Sequence, residues 1–490
     1  KNKLNTILFL LLGFFTSLLF PPYFFIPLGF IVFPALCLII DKIFINISKI
    51  KIFFYILFFA ISFFTSFLFW IQNPFFVFDE TKNFFYVSAL LIVILSIIFS
   101  IIFAIFYKYN QLIPTIFFVP IVFVFIEFTY SIIFYGFPWI NFSLISSSNS
   151  MLAFSLKNFG TLINSYLLLQ VFCLPYLLIS KINKQIIVYF IIFAFTPLLI
   201  VSLYNYLSQS NFEKKQKINV EILQLNFDPN KSIEENKTRL KKIYKTIDNS
   251  KADYIFFGEN NYPGIVNLND LNSLQKILKK NQTVVIGGTR KEKGKYFNTL
   301  FNINKSDIIY FDKKILVPFG EFLPFRKFLN LFQKISGPFD FTEGNTQRII
   351  TIGRDISYIP IICYEIIFYW KLINYYNYDS NFIVNITNDI WFGDHLGPYQ
   401  HFYLTKLRAM EFNKPIIRIS NNGVSGIFDK NGKIITNTLL NKEDKINLTL
   451  KINKSPNYYK SHYILKNYFI IVCLFLFLLN FIEFYGKKRI

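Results

Sequence analysis

Charged residues are scarce in this sequence. Of its 490 residues only 16% are Asp, Glu, Lys or Arg, whereas 53% are hydrophobic. Soluble domains carry about 25% charged residues, so the composition excludes a solely soluble enzyme. It also excludes disorder, because disordered chains have low hydrophobicity. At roughly 150 residues per domain the length allows about three globular units, and membrane helices must take part of it.

Acidic residues are scarcer than basic ones. The sequence has 51 Lys and Arg against 29 Asp and Glu, a formal net charge of +22. A strong positive charge is typical of nucleic-acid-binding proteins. Here, however, the basic residues are mostly Lys and scattered, and Asn and Ile are also abundant. Codon bias is the simplest explanation of the charge and a role at a membrane surface is the alternative, and we expect no nucleic-acid partner.

Cysteine and histidine are too few for the common metal sites. Three of the four cysteines lie inside long apolar runs, which leaves Cys363 alone in the polar part of the chain and excludes a disulfide there. His395 and His401 are six positions apart and do not share a helix face. No HExxH, paired CxxC or phosphate-binding glycine loop occurs. We expect neither a metal ion nor a cofactor, and a Cys–His pair has little support.

Long apolar runs fill the chain up to about Tyr206. A bilayer core needs about 20 apolar residues per helix, and on this basis we predict eight spans. They are 4–20, 25–40, 52–70, 84–107, 113–135, 162–179, 186–204 and 467–481. We expect the first run to be a span rather than a cleaved signal, because no small-residue cleavage site follows it.

Basic residues in the short loops predict the orientation. Those expected on one side are Lys1, Lys3, Lys42, Lys49, Lys51, Lys108, Lys181, Lys184, Lys487, Lys488 and Arg489. The opposite short loops offer only Lys82 and Lys157. Because cytoplasmic loops carry the excess of Lys and Arg, we expect both termini in the cytoplasm. The large polar region after the seventh span then lies outside, which in a bacterium is the periplasm.

From about residue 217 to 454 strand-like runs alternate with helical ones. We predict strands at 218–226, 254–257, 283–287, 308–311, 358–363, 382–386, 416–420, 425–429 and 446–452, and helices at 235–248, 268–280 and 400–412. This alternation is typical of one α/β domain. The predicted organisation is a seven-helix membrane domain at 1–207, an α/β domain at 217–455 and an eighth membrane helix at 466–484.

Three residues of the polar region occupy positions that suit catalysis. Cys363 ends a predicted strand before a helical stretch, where backbone N–H groups and the helix dipole favour a thiolate and an oxyanion. Lys313 follows a strand in a loop with the apolar run 317–320, and its ammonium can stabilise an oxyanion. Glu259 follows a buried strand, where a carboxylate can act as a general base. Taken singly, each residue has a simpler explanation: Cys363 as a buried structural thiol, Lys313 as a solvated surface lysine and Glu259 as a loop carboxylate.

Glu127 lies near the middle of the fifth predicted span. An ionisable residue at that depth is a functional candidate by default. The alternative is a hydrogen-bonded carboxyl that orients neighbouring helices, and the sequence leaves both open.

Together these residues resemble the nitrilase superfamily, whose triad is Glu–Lys–Cys. Glu259, Lys313 and Cys363 occur in that order. The stretches that resemble its membrane-embedded branch, the apolipoprotein N-acyltransferase family, are LVPFGE at 316–321, CYE at 363–365, NDIWFGD at 388–394, GPYQH at 397–401, RAME at 408–411, RISNNG at 418–423 and GFPW at 136–139. Two departures are Phe257-Gly258, where the family usually has Trp-Pro before the glutamate, and Tyr130, where it often has Arg.

The resemblance implies a polytopic helical membrane domain of about eight spans and an external αββα sandwich. It implies transfer of a fatty acyl chain from a phospholipid, through a thioester on Cys363, to the α-amino group of the diacylglyceryl-Cys of an apolipoprotein. The protein would act without cofactor, as a monomer, in the bacterial inner membrane. Glu321, Tyr364 and Glu365 would support the triad, and Trp391 would line the acyl or lipid path. The two glutamates could instead cap backbone groups, and Trp391 could be a core residue.

Two other functions fit parts of the sequence. A membrane-anchored amidase of the same superfamily would share the triad, but one anchor helix would suffice for it. A transporter or assembly scaffold would not need Cys363, and the spans lack the paired charges of an ion pathway.

Overall fold

The structure is a computed structural model that describes residues 2–107, 113–153, 155–180, 215–228, 233–328, 339–352, 356–374 and 376–453. These residues divide into two compact units. One contains the residues up to Phe69 and those from Val87 to Ser180. The other contains Trp70–Tyr86 and the described residues from 215 to 453. The loop 70–86, which interrupts the apolar half of the sequence, therefore belongs to the same unit as the α/β domain.

The first unit is helical because its apolar runs are long. Its helices are α1 Asn2–Ser17, α2 Gly29–Lys42, α3 Lys49–Phe67, α4 Tyr86–Tyr107, α5 Thr115–Ile132, α6 Leu156–Phe172 and α7 Leu174–Ile179. Five stretches of the described chain are long and apolar enough to cross a membrane: Ile26–Asn46, Lys49–Phe67, Tyr86–Tyr107, Thr115–Tyr135 and Leu156–Ile179. They correspond to the second to sixth predicted spans, and α1 to the first. The predicted seventh and eighth spans lie outside the described residues.

Glu127 on α5 is buried among hydrogen-bond donors. Its Oε2 accepts the backbone N–H of Phe142 at 3.0 Å, and its Oε1 accepts the Ser165 hydroxyl at 3.1 Å. Phe142 begins the buried 3₁₀ turn Phe142–Ser148, which the side chain of Asn164 also holds. Non-helical backbone buried among apolar helices needs such partners. These contacts fit the second alternative for Glu127, a carboxyl that orients neighbouring elements.

The second unit contains two sheets with helices on their outer faces. The strands are β1 Lys215–Gln224, β2 Tyr254–Phe257, β3 Ile265–Val266, β4 Thr283–Glu292, β5 Lys295–Asn304, β6 Ile308–Asp312, β7 Ile350–Ile352, β8 Ile356–Ile362, β9 Phe382–Thr387, β10 Ile416–Ser420, β11 Gly426–Phe428, β12 Ile434–Asn437 and β13 Asp444–Asn453. The helices are α8 Ile233–Asn249, α9 Asn272–Ile277, α10 Tyr369–Leu372 and α11 Leu396–Phe412.

Each sheet has a parallel centre. The first runs in the order β13-β1-β2-β4-β5-β6, with β3 paired to β4, and the second in the order β12-β11-β10-β9-β8-β7. Strands β1, β2 and β4 are parallel, as are β8, β9 and β10. The short β3 is parallel to β4, while the other outer strands are antiparallel. Parallel strands buried on both faces read as continuous apolar runs, which is why the sequence revealed most of them.

The two sheets pack face to face. The hydroxyl of Tyr358 on β8 donates to Oδ1 of Asn302 on β5 at 3.1 Å, which joins the sheets. Helix α8 covers the first sheet with Ile243 and Ile247. Helix α11 covers the second, where the ring centroids of Phe402 and Phe428 are 4.8 Å apart. The order of layers is helix, sheet, sheet, helix, and the predicted fold class is confirmed.

Some elements differ from the prediction. Four strands were not predicted: β3, β5, β7 and β12. Strand β5 was missed because Asn, which strands disfavour, interrupts its apolar residues. The helix predicted at 268–280 is a 3₁₀ turn, Leu268–Leu271, followed by the short α9. It ends early because Leu278 takes an extended conformation with ψ at 141°.

Candidate active site

The predicted site residues lie where strands of both sheets end. Glu259 follows β2 after one glycine, Lys313 follows β6, and Cys363 follows β8. Strand β5 is antiparallel to both β4 and β6, so β6 runs in the same direction as the parallel strands of its sheet. Carboxyl ends of such strands meet at one edge, the usual place for a site in α/β folds. Residues distant in sequence therefore meet.

Lys313 lies between the buried carboxylate of Glu259 and the half-buried carboxylate of Glu321. Its ammonium donates to Oε1 of Glu321 at 2.8 Å, whereas Oε1 of Glu259 is 3.9 Å away. The other oxygen of Glu321 accepts the backbone N–H of Val317 at 2.8 Å. Burial would lower the pKa of Lys313, but Glu321 and Glu259 outweigh burial and raise it. Lys313 is therefore a fixed positive charge, and Glu321 both pairs with it and caps the loop backbone.

Asn298 on β5, which was not among the predicted site residues, binds both carboxylates. Its Nδ2 donates to Oε1 of Glu259 at 2.7 Å and to Oε1 of Glu321 at 2.8 Å. Burial raises the pKa of Glu259 and the charge of Glu321 adds to the rise, while Lys313 and the Asn298 hydrogen bond oppose it. A carboxylate of raised pKa whose nearest cation is paired elsewhere suits a general base.

Cys363 begins the 3₁₀ turn Cys363–Ile367 in a strained conformation. Its φ is +50°, a left-handed region that side chains other than glycine rarely adopt. Burial raises the pKa of its thiol and Glu259 raises it further, while Lys313 opposes the rise. The resting thiol therefore keeps its proton, and attack requires a base beside it. Glu259 and the Cys363 thiol each influence the other's pKa, so the two groups are neighbours in the site.

Glu365 is completely buried and ties two parts of the site together. Its carboxylate accepts two guanidinium N–H groups of Arg348 at 2.6 and 2.8 Å, and the backbone N–H groups of Lys314 and Ile362, each at 2.9 Å. Burial alone would raise the pKa of Glu365, but Arg348 and the backbone N–H groups hold it below its ordinary value. Glu365 thus joins the end of β8 to the loop that follows β6.

The two predicted aromatic residues lie in different settings. Tyr364 is buried with its ring edge-on to Phe368 at 5.2 Å, and burial raises the pKa of its hydroxyl against the effect of Lys313. Trp391 is half-buried, and its ring lies 5.9 Å from that of Phe78 in the loop 70–86. That Trp391 lines a lipid path stays a prediction.

A second buried group of charges lies beside Cys363 and was not predicted. In this cluster, Asp389–His401–Arg418, one oxygen of Asp389 is 2.8 Å from Nδ1 of His401 and the other 2.6 Å from Nη2 of Arg418. Burial would raise the pKa of Asp389, but Arg418 and His401 hold it at about 2. Burial and Arg418 lower the pKa of His401. Within the described part of the chain, no three His, Cys, Asp or Glu side chains group as metal ligands do.

Gly258 occupies a narrow space before Glu259. A Cβ at this position would lie 3.0 Å from the backbone nitrogen of Asn421 and 3.3 Å from the carbonyl oxygen of Thr387. Its N–H donates to Oδ1 of Asn261 at 2.8 Å, a bond that proline could not form. The departure from the family's Trp-Pro therefore comes with a hydrogen bond of its own.

A thiol, a carboxylate and an ammonium at the shared edge of an αββα sandwich define a protein of the carbon-nitrogen hydrolase class. The family model described as Carbon-nitrogen hydrolase matches residues 220–454. A second model, described as Apolipoprotein N-acyltransferase N-terminal domain, matches residues 12–174. The chain belongs to the apolipoprotein N-acyltransferase family, and the five long apolar helices found among its described residues make it a multi-pass membrane protein.

The chain is similar to bacterial proteins named apolipoprotein N-acyltransferase. It is 31% identical to the one from Allorhizobium ampelinum over 268 residues, which covers 50% of this chain and 51% of the relative. With the Brucella melitensis protein it shares 37% identity over 190 residues, 36% of each chain. With that of Wigglesworthia glossinidia brevipalpis it shares 32% over 315 residues, 61% of this chain and 62% of the relative. The first match thus spans about half of the relative's length.

Proposed function

We propose that the protein moves a fatty acyl chain from a phospholipid to the α-amino group of the diacylglyceryl-modified N-terminal Cys of apolipoproteins. The observation that carries the proposal is the meeting of Glu259, Lys313 and Cys363 in a chain whose amino-terminal half matches the N-terminal domain of this family. A buried cysteine beside a base favours covalent catalysis, and its acyl thioester reacts readily with amines.

In the first half-reaction Glu259 takes the proton of the Cys363 thiol, and the thiolate attacks the ester carbonyl of the phospholipid. The oxyanion that forms accepts hydrogen bonds from the ammonium of Lys313 and from the backbone N–H of Tyr364. When the carbon–oxygen bond of the ester breaks, the leaving oxygen takes the proton from Glu259. A lysophospholipid departs, and the acyl chain stays on the sulfur.

In the second half-reaction the free amine of the apolipoprotein attacks the thioester carbonyl. Glu259 accepts the proton of the attacking nitrogen, and Lys313 again neutralises the oxyanion. The carbon–sulfur bond then breaks, and the thiolate recovers its proton from Glu259. The product carries an amide, no cofactor is consumed, and the expected kinetics are ping-pong.

Glu321 and Glu365 serve this scheme as supports. Glu321 takes up the direct charge pairing with Lys313 and so leaves Glu259 available as a base. Glu365 binds the backbone N–H groups of Lys314 and Ile315 and so fixes the loop that carries the ammonium.

We place the α/β domain on the periplasmic side of the inner membrane, both termini in the cytoplasm, and the protein as a monomer. The loop 70–86 supports the first statement, because it joins α3 to α4 and belongs to the α/β unit. The scarcity of Lys and Arg in the loops on the same side as 70–86 supports a periplasmic location.

A membrane-anchored amidase would use the same three side chains. The match of residues 12–174 to an acyltransferase domain favours acyl transfer, because an amidase has no need of several spans. The products distinguish the two: an amidase releases ammonia from an amide and forms no acylated peptide.

The proposal is tested by mass spectrometry of the purified full chain after incubation with phospholipid vesicles. We expect a fatty acyl mass on the peptide that contains Cys363, removed by hydroxylamine, and its transfer to a diacylglyceryl peptide added later. Cys363→Ser should abolish both signals, because a serine hydroxyl is far harder to deprotonate than a thiol.

Cys37→Ser is the matched control, since Cys37 is also a buried thiol but lies in α2 of the helical unit. It should keep the acyl mass and the transfer. Undiminished N-acylation by Cys363→Ser would refute the proposal, and release of ammonia without peptide acylation would favour the amidase.

A further inference from the structure

The loop 70–86 makes contacts that the proposed reaction does not use. It lies between α3 and α4 in sequence, yet it binds the turn before α11. Nε1–H of Trp70 donates to Oε1 of Gln400 at 2.9 Å, and Nδ2 of Asn73 donates to the carbonyl oxygen of Phe392 at 2.9 Å. The ring of Trp70 stands edge-on to that of Phe392, with centroids 4.9 Å apart.

Two glycines make room for this loop. A Cβ on Gly393 would lie 2.1 Å from Nδ2 of Asn73, and a Cβ on Gly397 would lie 3.0 Å from Cγ of Trp70. Gly393 also has a φ of +70°, so the turn needs glycine there for its backbone as well. The loop 70–86 and the backbone at these two glycines are therefore complementary in shape.

The turn that binds the loop begins with Asp389 and so adjoins the Asp389–His401–Arg418 cluster. The ring of Phe392 packs edge-on against the His401 ring at 5.2 Å, and His401 in turn bonds Asp389. All three members of the cluster are fully buried. Buried ion pairs add little net stability, because desolvation offsets their attraction, so stability alone does not explain this cluster.

The elements that carry the cluster pack against the turn that begins with the nucleophile. The hydroxyl of Thr387, at the end of β9, donates to Asp389 at 3.0 Å, and β9 packs on the turn Cys363–Ile367. Helix α11, which carries His401, packs on the same turn. A left-handed residue such as Cys363 keeps its conformation only where its surroundings over-determine it.

We propose that Trp70 and Asn73 are positioning residues that act through the Asp389–His401–Arg418 cluster on the backbone of Cys363. The helical half of the chain then contributes more than an anchor, because the α/β domain needs this loop to place its thiol. The inference rests on the proposed function for the substrate, but the placement of the thiol can be measured without any lipid.

The test uses the full chain in detergent micelles and two conservative variants. Trp70→Phe keeps an aromatic ring and removes the donor to Gln400, and Asn73→Ala removes the donor to Phe392. Lys82→Ala is the matched control, because Lys82 lies in the same loop, is 52% exposed and pairs with the exposed Asp79. The first readout is the rate of alkylation of Cys363 by iodoacetamide, followed on its peptide by mass spectrometry. The second is single-turnover formation of the thioester.

Loss of one hydrogen bond of about 1 kcal/mol corresponds to roughly a fivefold change. We expect Trp70→Phe and Asn73→Ala to slow alkylation and thioester formation about three- to tenfold, with an unchanged KM for phospholipid. His401→Asn should slow both further. The double variant Asn73→Ala/His401→Asn should be no slower than His401→Asn alone, because the two residues act along one path.

Rates equal to those of Lys82→Ala would overturn the inference. So would a lowered melting temperature with unchanged rates, since that is the result of a merely structural contact, or additive effects in the double variant. If the unaltered protein forms no thioester but the alkylation rates follow the expected order, the proposed function fails and the positioning role stands.

Discussion

Replacing Asn298 by alanine tests the assignment of Glu259 as the base. Nδ2 of Asn298 donates to Glu259 at 2.7 Å and to Glu321 at 2.8 Å. A hydrogen bond to the charged form of a carboxyl lowers its pKa, so its loss raises the pKa of Glu259. The base must be deprotonated to accept the thiol proton. The acid limb of the pH profile of kcat/KM for phospholipid should therefore move to higher pH.

The size of this movement follows from the bond that is lost. A hydrogen bond to a charged group contributes about 1.5–3 kcal/mol, and about 1.4 kcal/mol corresponds to one pH unit. We expect the acid limb to move up by about 1–2 pH units. The assay is single-turnover thioester formation on Cys363, measured across the pH range in which the variant stays folded.

Asn302→Ala is the matched control. Asn302 lies four residues further along β5, on the same face, and accepts the hydroxyl of Tyr358 instead of binding the two glutamates. Its loss should lower the melting temperature and leave the acid limb where it is. If the acid limb of the pH profile of Asn298→Ala stays where it is in the unaltered protein, or moves to lower pH, Glu259 is not the titrating base.

Two further substitutions test how the site is held together. Glu365→Gln should destabilise the α/β domain by about 3–5 kcal/mol, because the substitution leaves the buried guanidinium of Arg348 without its counter-charge. Thermal unfolding measures this loss of stability, and an unchanged melting temperature would contradict the prediction. Gly258→Ala should slow thioester formation at least about tenfold, because its Cβ would press on the backbone of Asn421 and displace the adjacent base. An unaltered rate would show that this close approach does not position the base.

The core of the fold was predictable because its strands are buried on both faces. Tyr254–Phe257 and Ile416–Ser420 have the bounds that the sequence predicts, since continuous apolar runs between turn residues read directly as strands. Strand β5 was not predictable in this way, because Asn occupies three of its ten positions. Asn298 was missed with it, although the Lys293-Gly294 pair between the two strands was a turn signal that pointed to a hairpin.

The Asp389–His401–Arg418 cluster was missed for a different reason. Each member lies on or beside a separate element, after β9, on α11 and on β10, and nothing in the spacing of 12 and 17 residues brings them together. Their meeting depends on the parallel pairing of β9 with β10 and on the packing of α11 over that pair. The stretches at 388–394, 397–401 and 418–423 contain all three members, but only the tertiary structure brings them together.

In the proposed reaction, the burial of Glu259, Lys313 and Cys363 has an electrostatic consequence. Burial raises the pKa of both Glu259 and the Cys363 thiol. When a proton passes from the thiol to the carboxylate, one desolvated anion replaces another, so the transfer costs little additional desolvation free energy. Lys313, which is paired with Glu321, influences both ends of this transfer from a fixed position. The negative charge can then move from carboxylate to sulfur to oxyanion while the cation stays still. Preorganised charges of this kind stabilise a transition state without reorganising as it forms.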